Sequence, residues 1–384
     1  MTVRGWCPSL SLPMPTIDGL LLRLRPRFGR LRAEDARLIA AAARRYGNGL
    51  IEVTNRGNLQ LRGFSPDSAR HAAAMTGHLD QPAHRPTLLA NPLLGIDPAM
   101  APDSETIAAS IADLLDAMPA LTGPAEKFFV ALDGGGLAGL GPTRADITIN
   151  ATPAGWALRR DGEAMAILCA GSDVAGIIAT WLAEYRAAGV ARMRDLFPAA
   201  APGASPDAAA PCLGFLPSVG AFGLGLVFGT IESDGFARIA AFADRYGDGG
   251  LRLTPWRSIL LTGVEPAAAV ALEAAAAGLI ITPDDPRSTI NACVGAAFCA
   301  AASTATRDDA LALAALWPGL HVSGCIKGCA HPLPASLTLV GHDGLYDIVH
   351  PGRAGDAPVR ARQSLEAVAA YLRHASAMMT GAAS

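Results

Sequence analysis

The chain has 384 residues, 51% of them hydrophobic and 17% charged, with a formal net charge of −3. Single cores rarely grow past roughly 250 to 300 residues, so two or three compact units are expected. The near-neutral charge gives no bulk attraction for nucleic acid or an anionic membrane, neither partner is expected, and any anion site must be local.

In chain order, the opening Met1-Thr-Val-Arg-Gly-Trp-Cys-Pro carries no apolar signal core, and the longest apolar runs are short and glycine-rich, so a cytoplasmic location is expected. Apolar periodicity then predicts a strand over 19–24, a helix over 33–46, strands over 50–54 and 58–62, and a helix over 66–77. Further strands are predicted near 127–132 and 146–151, and a helix near 172–187. The Pro-, Ala-, Gly- and Ser-rich stretch 198–211 reads as a linker. Beyond it the order restarts: a strand over 223–228, a helix over 234–246, strands over 251–254 and 258–262, a helix over 266–277, a strand near 336–340 and a helix near 362–375.

The restart is a duplication. At an offset of 200 residues, Tyr46-Gly-Asn-Gly-Leu-Ile-Glu-Val-Thr54 lies over Tyr246-Gly-Asp-Gly-Gly-Leu-Arg-Leu-Thr254. Leu61, Gly63, Pro66, Pro86, Asn91 and Gly95 recur without a gap at Leu261, Gly263, Pro266, Pro286, Asn291 and Gly295. Each half is an α+β unit.

Seven cysteines is an odd number, and four fall between 293 and 329, which points to metal before disulfide. Cys7, Cys169 and Cys212 are scattered and read as ordinary buried thiols. The clustered four are spaced Cys293-x5-Cys299 and Cys325-x3-Cys329. Six residues advance about 600° around a helix, so Cys293 and Cys299 cannot share one helical face, whereas a loop ending at a helix start can bring their sulfurs together. Gly295, Gly324 and Gly328 supply the backbone freedom and close approach that such loops need. Zinc sites usually pair cysteines at x2 to x4, so the x5 pair favours an iron–sulfur cluster, with a four-cysteine zinc site as the alternative that spacing leaves open.

The basic strand Arg23-Leu-Arg25, the turn Thr54-Asn-Arg56 with Gln60, the Asn91 segment, Lys127-Phe128 and both cysteine pairs resemble the sulfite and nitrite reductase family over nearly the whole chain. The resemblance implies an α+β, internally duplicated fold of two ferredoxin-like half-domains and two cluster-type α+β domains. Its expected divisions are 1–66 and 212–265 for the half-domains, 67–197 for the first reductase-type domain, 198–211 for the linker and 266–384 for the cluster-binding domain. It implies a [4Fe-4S] cluster on Cys293, Cys299, Cys325 and Cys329, with Arg23, Arg25, Arg56, Gln60 and Lys127 clamping the carboxylates of a tetrapyrrole. In the family the cysteine matching Cys329 bridges the cluster to a haem iron.

Departures from the reductases narrow the expectation. Ala90 stands where they carry Arg, Phe129 where they carry a second Lys, and Cys325-Ile-Lys-Gly-Cys329 where they read Cys-Pro-Asn-Gly-Cys. The opening Arg4-Gly-Trp-Cys-Pro-Ser9, the stretch Pro13-Met-Pro-Thr-x-Asp-Gly-Leu20, Ser323 through Pro332, and Leu339 through Asp347 resemble instead a branch of oxygen-dependent monooxygenases in aerobic cobalamin biosynthesis. That branch hydroxylates precorrin-3A and closes a γ-lactone to give precorrin-3B. The resemblance implies the [4Fe-4S] cluster, a mononuclear non-haem iron, dioxygen as oxidant, and no sirohaem. NADH is the implied electron source, acting through a separate reductase, because no Gly-x-Gly-x-x-Gly joins a strand to a helix here. A haem-binding, sirohaem-dependent sulfite or nitrite reductase is the alternative.

Catalytic candidates emerge from type and place. His321, His331, His342 and His350 surround the second cysteine pair with Asp343 and Asp347 nearby, and His331 lies two residues past Cys329. Lys127 and Lys327 are the only lysines among 31 basic residues, and both sit in family motifs. A compact ammonium suits a crowded site that a planar guanidinium would not enter.

Overall fold

The computed structural model describes residues 7–141, 143, 145–197 and 212–381; the expected linker over 198–211 lies outside the described residues. Among the described residues, no helix is long and apolar enough to cross a membrane. The chain divides into two compact units, one of Met1–Pro15, Gly19–Gly225 and Gly229–Gly278, the other of Thr16–Asp18, Leu226–Phe228 and Leu279–Ser384.

The larger unit holds both ferredoxin-like half-domains. Leucine alternation in the strand Gly19–Leu24 buries Leu22 and Leu24 on the sheet face that the helix Ala33–Tyr46 covers with Ala36, Ile39, Ala40 and Ala43. Gly19–Leu24 pairs antiparallel with Leu59–Phe64, which pairs with Leu50–Val53. The second copy repeats this with Ala221–Gly225, Ser258–Thr262 and Gly250–Leu253. Its first strand stops at Gly225 instead of reaching 228, because Phe228 turns to φ +56 inside the single turn Val227–Gly229, as Phe28 does at φ +56 inside Arg27–Gly29. A left-handed non-glycine residue at matched places in both halves ends each strand the same way.

Beyond that turn the strands pair in a way that periodicity did not predict. Arg30–Arg32 leaves its own half and pairs with Gly250–Leu253, while Thr230–Glu232 pairs with Leu50–Val53. The exchange is reciprocal down to single bonds: Ala33 N donates to Gly249 O at 2.9 Å and Ser233 N to Gly49 O at 2.8 Å. A Cβ on Gly29 would stand 2.9 Å from Leu253 O, and one on Gly229 2.8 Å from Val53 O, so both crossings need glycine. Helix Ala33–Tyr46 and its second-half counterpart Ser233–Tyr246 pack together, tied by Arg44 to Asp234 at 2.7 Å and by Arg37 to Asp244. Neither half-domain sheet is complete without a strand of the other.

The third sheet of this unit runs Thr87–Ala90, Phe129–Asp133 and Ile147–Thr152 in parallel, then Gly155–Arg160 and Ile167–Cys169 antiparallel. Two helices, Ser104–Asp116 and Gly171–Ala188, contribute Ile107, Ile111, Leu115, Ile178 and Trp181 to its core. Periodicity in the sequence marks the second helix and misses the first. The smaller unit repeats the sheet: Asn291–Ala292, His321–Ser323 and Thr338–His342 are parallel, and Leu345–Val349 and Arg360–Gln363 complete it antiparallel. Its core of Leu313, Leu320, Val322, Leu339, Ile348, Val368 and Leu372 is closed by helices Thr306–Leu313 and Leu365–Gly381.

A candidate cluster centre and an arginine pair

In the smaller unit both cysteine pairs lie at the carboxyl ends of adjacent parallel strands. Cys293 comes directly after Asn291–Ala292 and extends its ladder through Cys293 N to Val322 O at 3.2 Å; Cys325 and Cys329 come after His321–Ser323. Strand ends thus place the thiols, and the helix start meets them only at Thr306, whose Oγ1 lies 3.7 Å from Cys293 Sγ while donating to Cys293 O at 2.6 Å. Gly324 N donates to Cys293 Sγ at 3.2 Å, the kind of bond that steadies a thiolate ligand. Gly295 at φ +69 and Gly328 at φ +58 take the left-handed turns expected of them.

The donor set fits a polynuclear cluster. Burial pushes the Cys329 thiol up, and Cys325, Cys293 and Cys299 push it further, so the other three sulfurs lie within electrostatic reach of Cys329. A Cβ on Gly324 would press within 2.4 Å of Ala302 Cβ and 3.4 Å of Cys293 Sγ, so the loop closes against the thiols only with glycine there. Among the described residues no three His, Cys, Asp or Glu side chains are grouped to hold a single metal ion. The mononuclear iron implied by the resemblance has no ligand set among the described side chains.

Around the cysteines, Lys327 and Ile326 are exposed in the Cys-x3-Cys loop, and Leu333 is exposed just beyond it. The His331 ring meets that of His321 edge-on with centroids 5.6 Å apart. His321 is fully buried, and burial first, then His331, push its pKa down to about 4. Thr338 Oγ1 donates to Gly352 O at 2.9 Å, so its 3.4 Å contact with His321 Nδ1 has the ring donating and leaves a bare, unpartnered Nε2. His342, Asp343 and Arg362 form an exposed ion-pair group, and His350 Nδ1 lies 2.8 Å from Tyr371 Oη.

In the larger unit, strand register builds a polar row. Arg23 stands opposite Gln60, and Gln60 opposite Glu52, across three strands. With its amide oriented to suit both neighbours, Gln60 accepts from Arg23 Nη2 at 2.8 Å and donates to Glu52 Oε2 at 3.1 Å. Arg56 projects from the turn in which Thr54 Oγ1 accepts from Arg56 N and Asn58 N, and its guanidinium lies 3.9 Å from the centre of the Phe129 ring. Burial pushes both guanidiniums below their ordinary range, Arg56 to about 10, and the thiol of Cys7 opposes the shift in each. Among the described residues neither Arg23 nor Arg56 has a carboxylate within ion-pair distance, and Arg23 Nε is buried without a partner.

Arg25 does not join this pair. The strand ends at Leu24, and beyond it the Arg25 guanidinium turns to Asp80 Oδ1 at 3.4 Å, Gln81 O at 2.9 Å and Pro82 O at 3.0 Å. Lys127 ends the short turn Gly123–Lys127 ahead of the strand Phe129–Asp133, whereas Lys327 comes after the equivalent strand His321–Ser323. Their 200-residue spacing is a coincidence of loop lengths. Cys7, read from sequence as an ordinary thiol, sits beside the arginine pair, its N donating to the buried Glu126 Oε2 at 2.8 Å. Comparing the copies would have isolated this face: Arg23, Glu52, Arg56 and Gln60 are replaced by Gly223, Arg252, Trp256 and Leu260 in the second half.

The duplicated, strand-exchanged half-domains and the cysteine set on parallel strand ends define a sulfite and nitrite reductase-type oxidoreductase. The description "Nitrite/Sulfite reductase ferredoxin-like half domain" matches residues 13–74 and 219–279. The structure of the Mycobacterium tuberculosis NirA protein shares the fold at a TM-score of 0.65 and 16% identity, over 92% of this chain and 79% of that one. A ferredoxin–nitrite reductase of Synechococcus elongatus is 26% identical over 84% of this chain and 76% of its own. A precorrin-3B synthase of a Sinorhizobium species is 36% identical over 92% of this chain and 84% of its own, and the chain belongs to that family.

Proposed function

We propose that the chain is an oxygen-dependent monooxygenase that converts precorrin-3A to precorrin-3B by hydroxylation and γ-lactone formation. The observation that carries the reading is the half-buried Arg56 laid on Phe129, which stands where the reductases place a second cation, with Ala90 on the neighbouring strand in place of another. A small oxyanion needs several converging charges to leave water, and this site offers fewer. Two desolvated guanidiniums without a carboxylate partner suit a carboxylate-bearing macrocycle instead.

Cys293, Cys299, Cys325 and Cys329 would hold a [4Fe-4S] cluster, which supplies one-electron transfer when bound. Inserting one oxygen atom and reducing the other to water takes two electrons, so an external donor is required, with NADH acting through a separate reductase. Arg23 and Arg56 bind and orient substrate carboxylates, and Gln60 holds the Arg23 fork through its bond to Nη2. Phe129 shields one face of Arg56 from water. His331 and Lys327, beside the cysteine loop, are the groups proposed to position or move a proton at the substrate, and Lys127 to meet a further carboxylate.

Anaerobically purified protein should show the broad visible absorption of an iron–sulfur cluster without haem bands. With a reductant it should form precorrin-3B from precorrin-3A only when dioxygen is present, the new oxygen carrying label from ¹⁸O₂. Sirohaem bands with turnover of sulfite or nitrite and no oxygen-dependent product would overturn the proposal.

A further inference from the structure

The opening Cys-Pro-Ser motif has no part in the proposed chemistry, yet the fold fixes it firmly. Pro8, Ser9 and Leu10 are buried, Ser9 N bonds Leu12 O at 3.1 Å, and Ser9 Oγ accepts from Leu12 N at 2.9 Å, which closes a tight turn just after Cys7. On its other side, Cys7 N is held by Glu126 Oε2 at 2.8 Å, and the other oxygen of that carboxylate faces His84 Nδ1 at 3.5 Å. Glu126 leads through Lys127 and Phe128 into Phe129, the ring under Arg56. The half-buried thiol therefore lies within hydrogen-bond reach of the Arg23 guanidinium and within electrostatic reach of that of Arg56. The turn closed by Ser9 and Leu12 and the bond from Cys7 N to Glu126 keep it there.

We infer that Cys7 lines the anion seat made by Arg23 and Arg56, so that a polycarboxylate tetrapyrrole bound there lies against its thiol. The inference rests on the proposed carboxylate clamp and adds to it a polarisable wall from the opening segment. A thiol next to paired guanidiniums offers a weak acceptor that an entering carboxylate displaces at little cost, whereas a carboxylate side chain there would close the seat as an ion pair. The residue thus leaves the pair charged and available while excluding bulk water from one side.

The test uses the full-length, cluster-loaded protein and uroporphyrin, a tetrapyrrole octacarboxylate, as the probe. Iodoacetamide labelling at Cys7 is tracked by mass spectrometry with and without the probe, with Cys169, in the strand Ile167–Cys169, as internal reference. Saturating probe should slow Cys7 labelling at least tenfold and leave Cys169 unchanged, and Cys7→Trp should weaken probe binding at least tenfold. If uroporphyrin binds in a manner lost in Arg56→Ala but Cys7 labels at its free rate, the inference about Cys7 is wrong and the clamp stands. If binding is absent or indifferent to Arg56→Ala, the clamp itself is wrong and the inference falls with it. Should Cys7→Trp fail to fold, the labelling of the wild-type chain decides alone.

Discussion

Gly324→Ala should cost the protein the proposed [4Fe-4S] cluster. The added Cβ would lie 2.4 Å from Ala302 Cβ and 3.3 Å from Ala302 Cα, the first more than an ångström inside the usual carbon–carbon contact of about 3.5 to 4.0 Å. Ala302 has no flexible end to swing away, so backbone must move. Overpacking of this kind costs about 1 to 3 kcal/mol. Relief by shifting the loop away from Ala302 also breaks the 3.2 Å bond from Gly324 N to Cys293 Sγ, worth about 1.5 to 3 kcal/mol for a charged acceptor. Taken together, a loss near 3 kcal/mol lowers cluster retention roughly a hundredfold. Iron and acid-labile sulfide per chain, with the visible spectrum, measure it directly. The companion variant Ala302→Gly should restore the cluster when combined with Gly324→Ala, since it removes the atom in collision. Full iron and sulfide in Gly324→Ala alone would show that the loop does not close as described.

His321 gives a pH dependence with a definite sign. Its folded-state pKa of about 4, set by burial and then His331, lies below the ordinary 6.5, so the unfolded chain takes up a proton that the folded one refuses. Stability from this group is full above pH 6.5 and falls as pH drops toward 4, by about 2 kcal/mol between pH 7 and pH 5. Thermal unfolding of His321→Phe should be less acid-sensitive than wild type over that range, and identical slopes would refute the assignment. Lys127→Arg and Lys327→Arg keep charge and should keep the fold, but each should lower product formation several-fold. Wild-type turnover in both would show that neither ammonium is needed.

Local pattern was legible without the structure. The helix over 33–46 and the strand over 258–262 fall where periodicity puts them, because an apolar stripe at 3.6 or 2 residues is written in neighbouring positions. The duplication and the four clustered cysteines were legible for a similar reason, since identity at a fixed offset and spacing of a rare residue need no coordinates. Reciprocal strand exchange was not, because Arg30–Arg32 and Thr230–Glu232 are three-residue strands whose partners lie about 200 residues away, too short to carry a period and defined only by non-local pairing. The same holds within the arginine face. The family resemblance placed Arg23 and Arg25 together, and only the chain's turn after Leu24 sends Arg25 to Asp80 while Arg23 stays in the row with Gln60. Cys7 and His321 belong to tertiary structure alone: one is set by a carboxylate 119 residues away, the other by burial that no single position announces.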